Sequence, residues 1–255
     1  MESYQLPILL VNAETTGEAW IKTVKAVWDN GKMMPNHYED KPSKEATVLV
    51  NISNPLKEPR VHVADYVSTQ DIKIKNTYTK EVLKGTIDYL VDKGSLSYTY
   101  HRRLWNWGKS VPKHDEILKS KNLPMVEVPP EGINQIEYLI QKAKEENISR
   151  KLQVTTWAPW KDLKVSGAPC LQRIWFRITD DKYLIMETHW RSRDLFKAYG
   201  SNVYAMAELG KMIADRLGLK LIQYVDLSNS LHIYESDFKD VEGVFKTLEK
   251  RGIKV

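Results

Sequence analysis

Gln172-Arg-Ile-Trp-Phe-Arg-Ile-Thr179, then Asp180-Asp181, then Lys182-Tyr-Leu-Ile-Met-Glu-Thr-His-Trp190 reads as two β-strands joined by a two-residue turn. Both runs mix apolar residues with a few polar ones, and an Asp-Asp pair suits a tight hairpin. That mixture fits a sheet with one face partly given to binding. Upstream, residues 152–157 predict another strand; downstream, residues 219–224 and 231–234 predict two more. Residues 203–217 form an amphipathic helical pattern stopped at Gly218, and residues 238–251 a terminal helix.

The first half is richer in helices. Residues 6–12 read as a strand. Ala19, Trp20, Val24, Val27 and Trp28 recur at helical spacing, with Thr16 as N-cap and Gly31 as stop. Residues 33–45 read as a mobile loop and 46–53 as a strand. Residues 60–75 carry little signal. A helix is expected over 79–92, ended by Gly94, and another over 132–147. Residues 112–130 read as a charged loop with a short helix. With no repeat or linker, the pattern is α+β, one domain over residues 1–255.

The composition is ordinary for a globular protein: 42% hydrophobic and 28% charged residues, with eight Trp and thirteen Tyr. The net charge of +5 suits a phosphate-bearing ligand, nucleic acid or a merely solvated surface. One cysteine excludes an internal disulfide and points to a reducing compartment. No 18-residue apolar run or signal pattern is present, so a cytoplasmic protein without membrane contact is expected. There is no His-Glu-x-x-His, no paired Cys and no Gly-rich phosphate loop, which removes the recognisable zinc and P-loop chemistries.

The chemistry gathers around the hairpin. Cys170 follows Gly167-Ala168-Pro169 at the entry of the first strand, where a thiol faces a cleft rather than a strand interior. A lone Cys is otherwise most simply a small buried hydrophobe. Arg173, Arg177, Arg191 and Arg193 are near in sequence, and cations favour the thiolate. Arg191-Ser192 offers a planar fork and a hydroxyl, which suit a phosphate. Arg150-Lys151 is a second cationic pair, and alone reads as surface charge. Asn202 reads either as a ligand-facing amide or as the N-cap of the following helix. His232 and Tyr234, two apart on a strand, share a face.

The ordered set Ala168-Pro169-Cys170, Arg191-Ser192-Arg193-Asp194, Asn202 and His232-Ile233-Tyr234 resembles the thymidylate synthase family, which includes the pyrimidine nucleotide hydroxymethylases. Ser149-Arg150-Lys151 ahead of Trp157 resembles the family's paired basic residues, and residues 98–107 its aromatic active-site segment. The resemblance implies a large mixed β-sheet flanked by helices, packed face to face with a second sheet in a homodimer with shared active sites. It implies reductive methylation of dUMP to dTMP through a covalent adduct of Cys170 at C6. The donor would be 5,10-methylene-tetrahydrofolate or methylene-tetrahydromethanopterin. Asn202 would read the uracil edge, and His232 and Tyr234 would hold the ribose. Arg191 and Ser192 would bind the phosphate, reinforced by Arg150 and Lys151 from the partner. Asp194 would orient the pterin; Trp107, Tyr98 and Tyr100 would wall the ligand. Glu81 is the candidate for the family's proton-shuttling Glu.

This chain departs from the pattern in places. Leu171 stands where His is usual, Lys151 where Arg is usual, and Gly200-Ser201 where Pro-Phe is usual; residues 33–45 hold no Arg for the phosphate. Only 21 residues follow Tyr234, as in the shorter archaeal branch. Two rivals remain at this stage. One is a dUMP or dCMP hydroxymethylase, in which water replaces hydride. The other is a non-catalytic nucleotide- or RNA-binding relative, suggested by the basic pI and residues 102–107; against it, a binding module needs no thiol, and nucleic acid is not the expected partner.

Overall fold

The computed structural model describes residues 5–36, 41–65, 72–122, 128–164 and 167–255. Strand β1 (Ile8–Ala13) leads into α1 (Thr16–Asn30). Thr15, not Thr16, is the N-cap, its hydroxyl accepting from the Glu18 N–H at 3.1 Å, and Gly31 closes the helix. Such a cap is worth about 1 kcal/mol. Strands β2 (Lys32–Met34) and β3 (Ser43–Ile52) pair antiparallel, so the expected loop at 33–45 is strand at both ends. Its centre, residues 37–40, lies outside the described residues.

Helix α2 (Ile72–Lys84) begins seven residues before the expected start and ends at Gly85, whose φ of 62° an L-residue resists. A short α3 (Tyr89–Asp92) takes up the rest of the expected helix, followed by α4 (Tyr100–Trp105) and α5 (Pro112–Ser120). Helix α6 (Gln135–Glu145) is capped by the Asn134 side chain and buries Ile136, Leu139, Ile140 and Ala143, the expected face.

The second half supplies β4 (Gln153–Thr155), β5 (Leu171–Thr179), β6 (Tyr183–Asp194), α7 (Tyr199–Leu217), β7 (Lys220–Tyr234) and α8 (Phe238–Lys250). Asp180 and Asp181 adopt φ of 50° and 52°, the left-handed pair a tight hairpin needs. Gly218, at φ 70°, caps α7 as the sequence indicates. The two strands expected at 219–224 and 231–234 are one strand of 15 residues.

The sheet runs β1-β3-β7-β6-β5-β4, with β2 beside β3. It is mixed: β1/β3 and β6/β7 are parallel, the other pairs antiparallel. Helices α1 and α7 pack on β1, β3, β7 and β6, and α4 and α6 on β4; between helices and sheet Trp20, Val48, Val50, Ile174, Phe176, Met186 and Trp190 are buried. Among the described residues, no helix covers the other face along β1, β3 and β7. Leu10, Leu49 and Leu227 lie side by side across β1, β3 and β7, with Leu10 67% exposed, and Trp175 and Ile185 continue the face as partly exposed residues.

Near the end of β6 the inward-facing positions change phase. Trp190 and Arg193, three apart, are both buried; on the parallel β7 so are Ser228 and Leu231, their register partners. The shared slip leaves Arg191 and Ser192 side by side at the rim and turns Arg193 into the interior.

Candidate active site

Cys170 directly precedes β5, half-buried, with its carbonyl accepting the Arg191 N–H at 2.9 Å. Arg191 folds back over this turn. Its Nε donates to the Pro169 carbonyl at 3.0 Å and its Nη2 to that of Ala168 at 2.9 Å, while its Nη1 has no partner among the described residues. From the other side, the Tyr100 hydroxyl accepts the Leu171 N–H at 3.3 Å. Tyr100 packs edge-on against Trp190 at 5.8 Å and against Tyr98 at 5.5 Å. Burial raises both phenols well away from ionisation at neutral pH. Leu171 itself is fully buried, so the side chain standing where the family has His faces the core.

Burial also pushes the Cys170 thiol above its ordinary value; the Arg191 and Arg193 guanidiniums pull it down, without overcoming desolvation. The thiolate is the reactive form. Alkylation of native Cys170 by iodoacetamide is therefore expected to have its pH midpoint above that of the same chain in denaturant. A lower native midpoint would show that the arginines win.

Asn202 lies in the first turn of α7, and its own N–H donates to the Ala198 carbonyl at 3.0 Å, so it is not the helix cap. Its Nδ2 donates to the Tyr78 hydroxyl at 2.9 Å. Tyr78 comes from α2, which packs on α7. Glu81, three residues later, shares that helix face, and burial raises its carboxyl toward the range of a proton carrier. The sequence reading did not single out Tyr78. Its i, i+3 spacing from Glu81 was the available signal.

His232 and Tyr234 stand together, ring centroids 4.8 Å apart. Burial lowers the His232 imidazole, favouring its neutral form. Asp194 pairs with His232 in the β6/β7 register, and Leu195 N–H donates to the His232 carbonyl at 2.8 Å. One Asp194 oxygen accepts the Lys197 N–H at 2.9 Å, and burial raises the carboxyl. Ser192 pairs with Ser230 on β7 beside these groups.

Arg150 and Lys151 are exposed. Their loop is tied to the open sheet face, with Trp175 Nε1 donating to the Arg150 carbonyl at 3.1 Å and Arg177 to that of Ile148 at 2.5 Å. Trp107 packs edge-on against Trp160 at 4.9 Å and pairs with Ile133. In the basic segment 102–107, Arg102 is paired with Asp92 and Arg103 with Asp162, both arginines under 10% exposed. Both guanidiniums of that segment are thus engaged in ion pairs, Arg103 with the buried Asp162 and Arg102 with the exposed Asp92. No helix among the described residues is long and apolar enough to cross a membrane, and no cluster of metal-ligating side chains occurs among them.

Cys170 and Arg191, the His232–Tyr234 pair and Asp194 thus lie on or beside the neighbouring strands β5, β6 and β7, with Asn202 in the first turn of α7. The family model for thymidylate synthase matches residues 56–252. A Methanosarcina acetivorans protein named "Putative thymidylate synthase" is 26% identical over 237 residues, covering 93% of this chain and 94% of its own. Proteins of the same name from Methanococcoides burtonii (26%, 94% and 96% covered) and Methanocaldococcus jannaschii (27%, 93% and 96% covered) match similarly. The chain belongs to the thymidylate synthase family.

Proposed function

We propose that this protein methylates dUMP at C5, with a 5,10-methylene-tetrahydropterin supplying the one-carbon unit and the hydride. The observation that carries the reading is the arrangement around Cys170: its carbonyl bonded to the Arg191 N–H, and the partly exposed Arg191 guanidinium folded over the preceding turn. In this reading the Cys170 thiolate adds to C6 of uracil, which makes C5 a nucleophile toward the one-carbon unit. Asn202 donates to O4 and accepts from N3–H. Arg191 and Ser192 grip the 5′-phosphate, and neutral His232 with Tyr234 holds the ribose 3′-hydroxyl. Glu81, its carboxyl raised by burial, moves a proton at the base. Asp194, its carboxyl raised by burial and oriented by the Lys197 N–H, is suited to an N–H of the pterin ring.

The open sheet face with its Leu10–Leu49–Leu227 row supports a face-to-face homodimer. Arg150 and Lys151, on a loop tied to that face, would reach the partner's phosphate. The donor is a reduced pterin of the folate or methanopterin type.

The test is a mass spectrum after incubation with 5-fluoro-dUMP and a methylene donor. A covalent adduct on Cys170 is expected, because fluorine cannot leave C5 as a proton does. Its absence with every reduced pterin would end the reading. With dUMP, a product one oxygen heavier than dTMP would instead establish hydroxymethylation.

Asn202→Asp tests the base contact. The variant is expected to lose about a hundredfold or more in kcat/KM for dUMP and to gain relative activity on dCMP, whose edge reverses donor and acceptor. Unchanged discrimination between the two nucleotides would remove Asn202 from base recognition.

A further inference from the structure

The family motif leaves the third residue of Arg191-Ser192-Arg193-Asp194 unassigned. Here it is an arginine turned inward by the phase slip of β6, and only 3% exposed. Its guanidinium lies 4.3 Å from the Trp190 ring centroid and 4.4 Å from that of Tyr199. Nη2 donates to Asp226 and, at 2.7 Å, to the Ser228 hydroxyl, while Nε and Nη1 have no hydrogen-bond partner. Asp226, fully buried, also accepts from Thr188 at 2.8 Å and Tyr224 at 2.9 Å. The carboxylate is thus fixed by three donors, and the guanidinium is held by it between two rings.

We propose that Arg193 is a positioning residue that keeps positive potential on the Cys170 sulfur after Arg191 has been engaged by the substrate's phosphate. The proposal rests on Cys170 being the attacking group of the reaction above. The two arginines differ in what can reach them. Arg191 is partly exposed, with no partner for Nη1 among the described residues, so an anion that binds it also cancels much of its field. Arg193 is sealed beneath Trp190, out of reach of a nucleotide, and its field crosses protein rather than water, where it is poorly screened.

The Arg193–Asp226 pair is also oriented. The guanidinium lies over Trp190, whose register partner on β5 is Leu171, the residue after Cys170, whereas Asp226 is on β7, on the far side of β6 from β5; the positive end of the pair is therefore the one nearer the cysteine. The charged and titratable groups acting on the sulfur are Arg191 and Arg193 from β6 and Tyr98 and Tyr100 from the segment entering α4; the two phenols stay neutral. An ion pair this deep is costly, and an apolar pair of similar volume would serve stability as well or better. In this proposal the role of the pair is the field it sets beside the reacting group.

Because Cys170 is the only cysteine, its alkylation by iodoacetamide reads the thiolate fraction directly, without turnover. The rate is measured against pH in saturating inorganic phosphate, which loads Arg191. The double variant Arg193→Met with Asp226→Leu removes the pair without stranding a charge. Its midpoint should rise, with alkylation about three- to tenfold slower at neutral pH. Arg193→Lys should keep the wild-type midpoint. Asp226→Asn, which leaves the cation without its counter-charge, should lower the midpoint.

A structural role alone would not move the variants in opposite directions. A double variant with the wild-type midpoint, or an Asp226→Asn midpoint that stays or rises, would overturn the proposal. Either result leaves the methylation reading intact, since that stands or falls on the 5-fluoro-dUMP adduct.

Discussion

Replacing Cys170 with serine is expected to lower turnover of dUMP by about four to six orders of magnitude, the scale seen when a covalent nucleophile is removed. A serine hydroxyl keeps the volume and can still hydrogen-bond. It cannot ionise at neutral pH in a site whose burial already raises a thiol. Nucleotide binding should survive, because Arg191 is held by the Pro169 and Ala168 carbonyls and not by the sulfur. The measurement is steady-state dTMP formation alongside equilibrium dUMP binding. Turnover within tenfold of wild type would show that chemistry does not pass through this residue.

The second large effect concerns stability. Asp162→Asn is expected to destabilise the fold by about 3–5 kcal/mol, lowering the thermal midpoint by about 6–20 °C for a chain of this size. Asp162 is buried and accepts from Arg103 Nη2 at 2.7 Å, Arg103 Nη1 at 2.9 Å and the Ala158 N–H at 2.6 Å. Arg103 Nη1 also donates to the Thr156 carbonyl at 2.8 Å. An asparagine would leave a buried guanidinium without its counter-charge, beside Lys161, whose ammonium is already lowered to about 8 by burial and by Arg103. This pair clamps α4, which carries Tyr100, to the segment leading to Cys170. Thermal and urea unfolding would measure the effect, and a loss under 1 kcal/mol would show that water or another group satisfies Arg103.

Much of this architecture was legible where local chemistry and tertiary demand agree. The Asp180-Asp181 hairpin, the Gly218 stop and the buried faces of α1 and α6 follow from turn chemistry and periodicity alone. The middle of β7 was not legible. Asp226-Leu-Ser-Asn-Ser230 reads as a break because four of its five residues are polar, yet Asp226 and Ser228 are buried, their cost met by Arg193 from another strand. No window of sequence contains both halves of that compensation.

The same holds for the site. Cys170, Arg191, His232 and Tyr234 are candidates through the order of their motifs, which resembles that of the thymidylate synthase family. Tyr78 was missed because its contact with Asn202 spans 124 residues and is made only when α2 packs on α7. Asn202 as a helix cap was the local reading. The helix starts four residues earlier, at Tyr199, because Tyr199, Gly200 and Ser201 form its first turn, with Tyr199 and Gly200 packed into the core.

The place of β7 in the sheet bears on how the chain is made. It separates β3 from β6, and Thr47 bonds to Asn229 across 182 residues. At a synthesis rate of roughly 5–20 residues per second, β3 leaves the ribosome about 10–40 s before the strand it must join. Throughout that interval the β1–β3 ribbon carries an unpaired edge and Val48, Val50 and Ile52 without their final cover. The nascent amino-terminal third is therefore the segment that a ribosome-associated chaperone has most reason to hold.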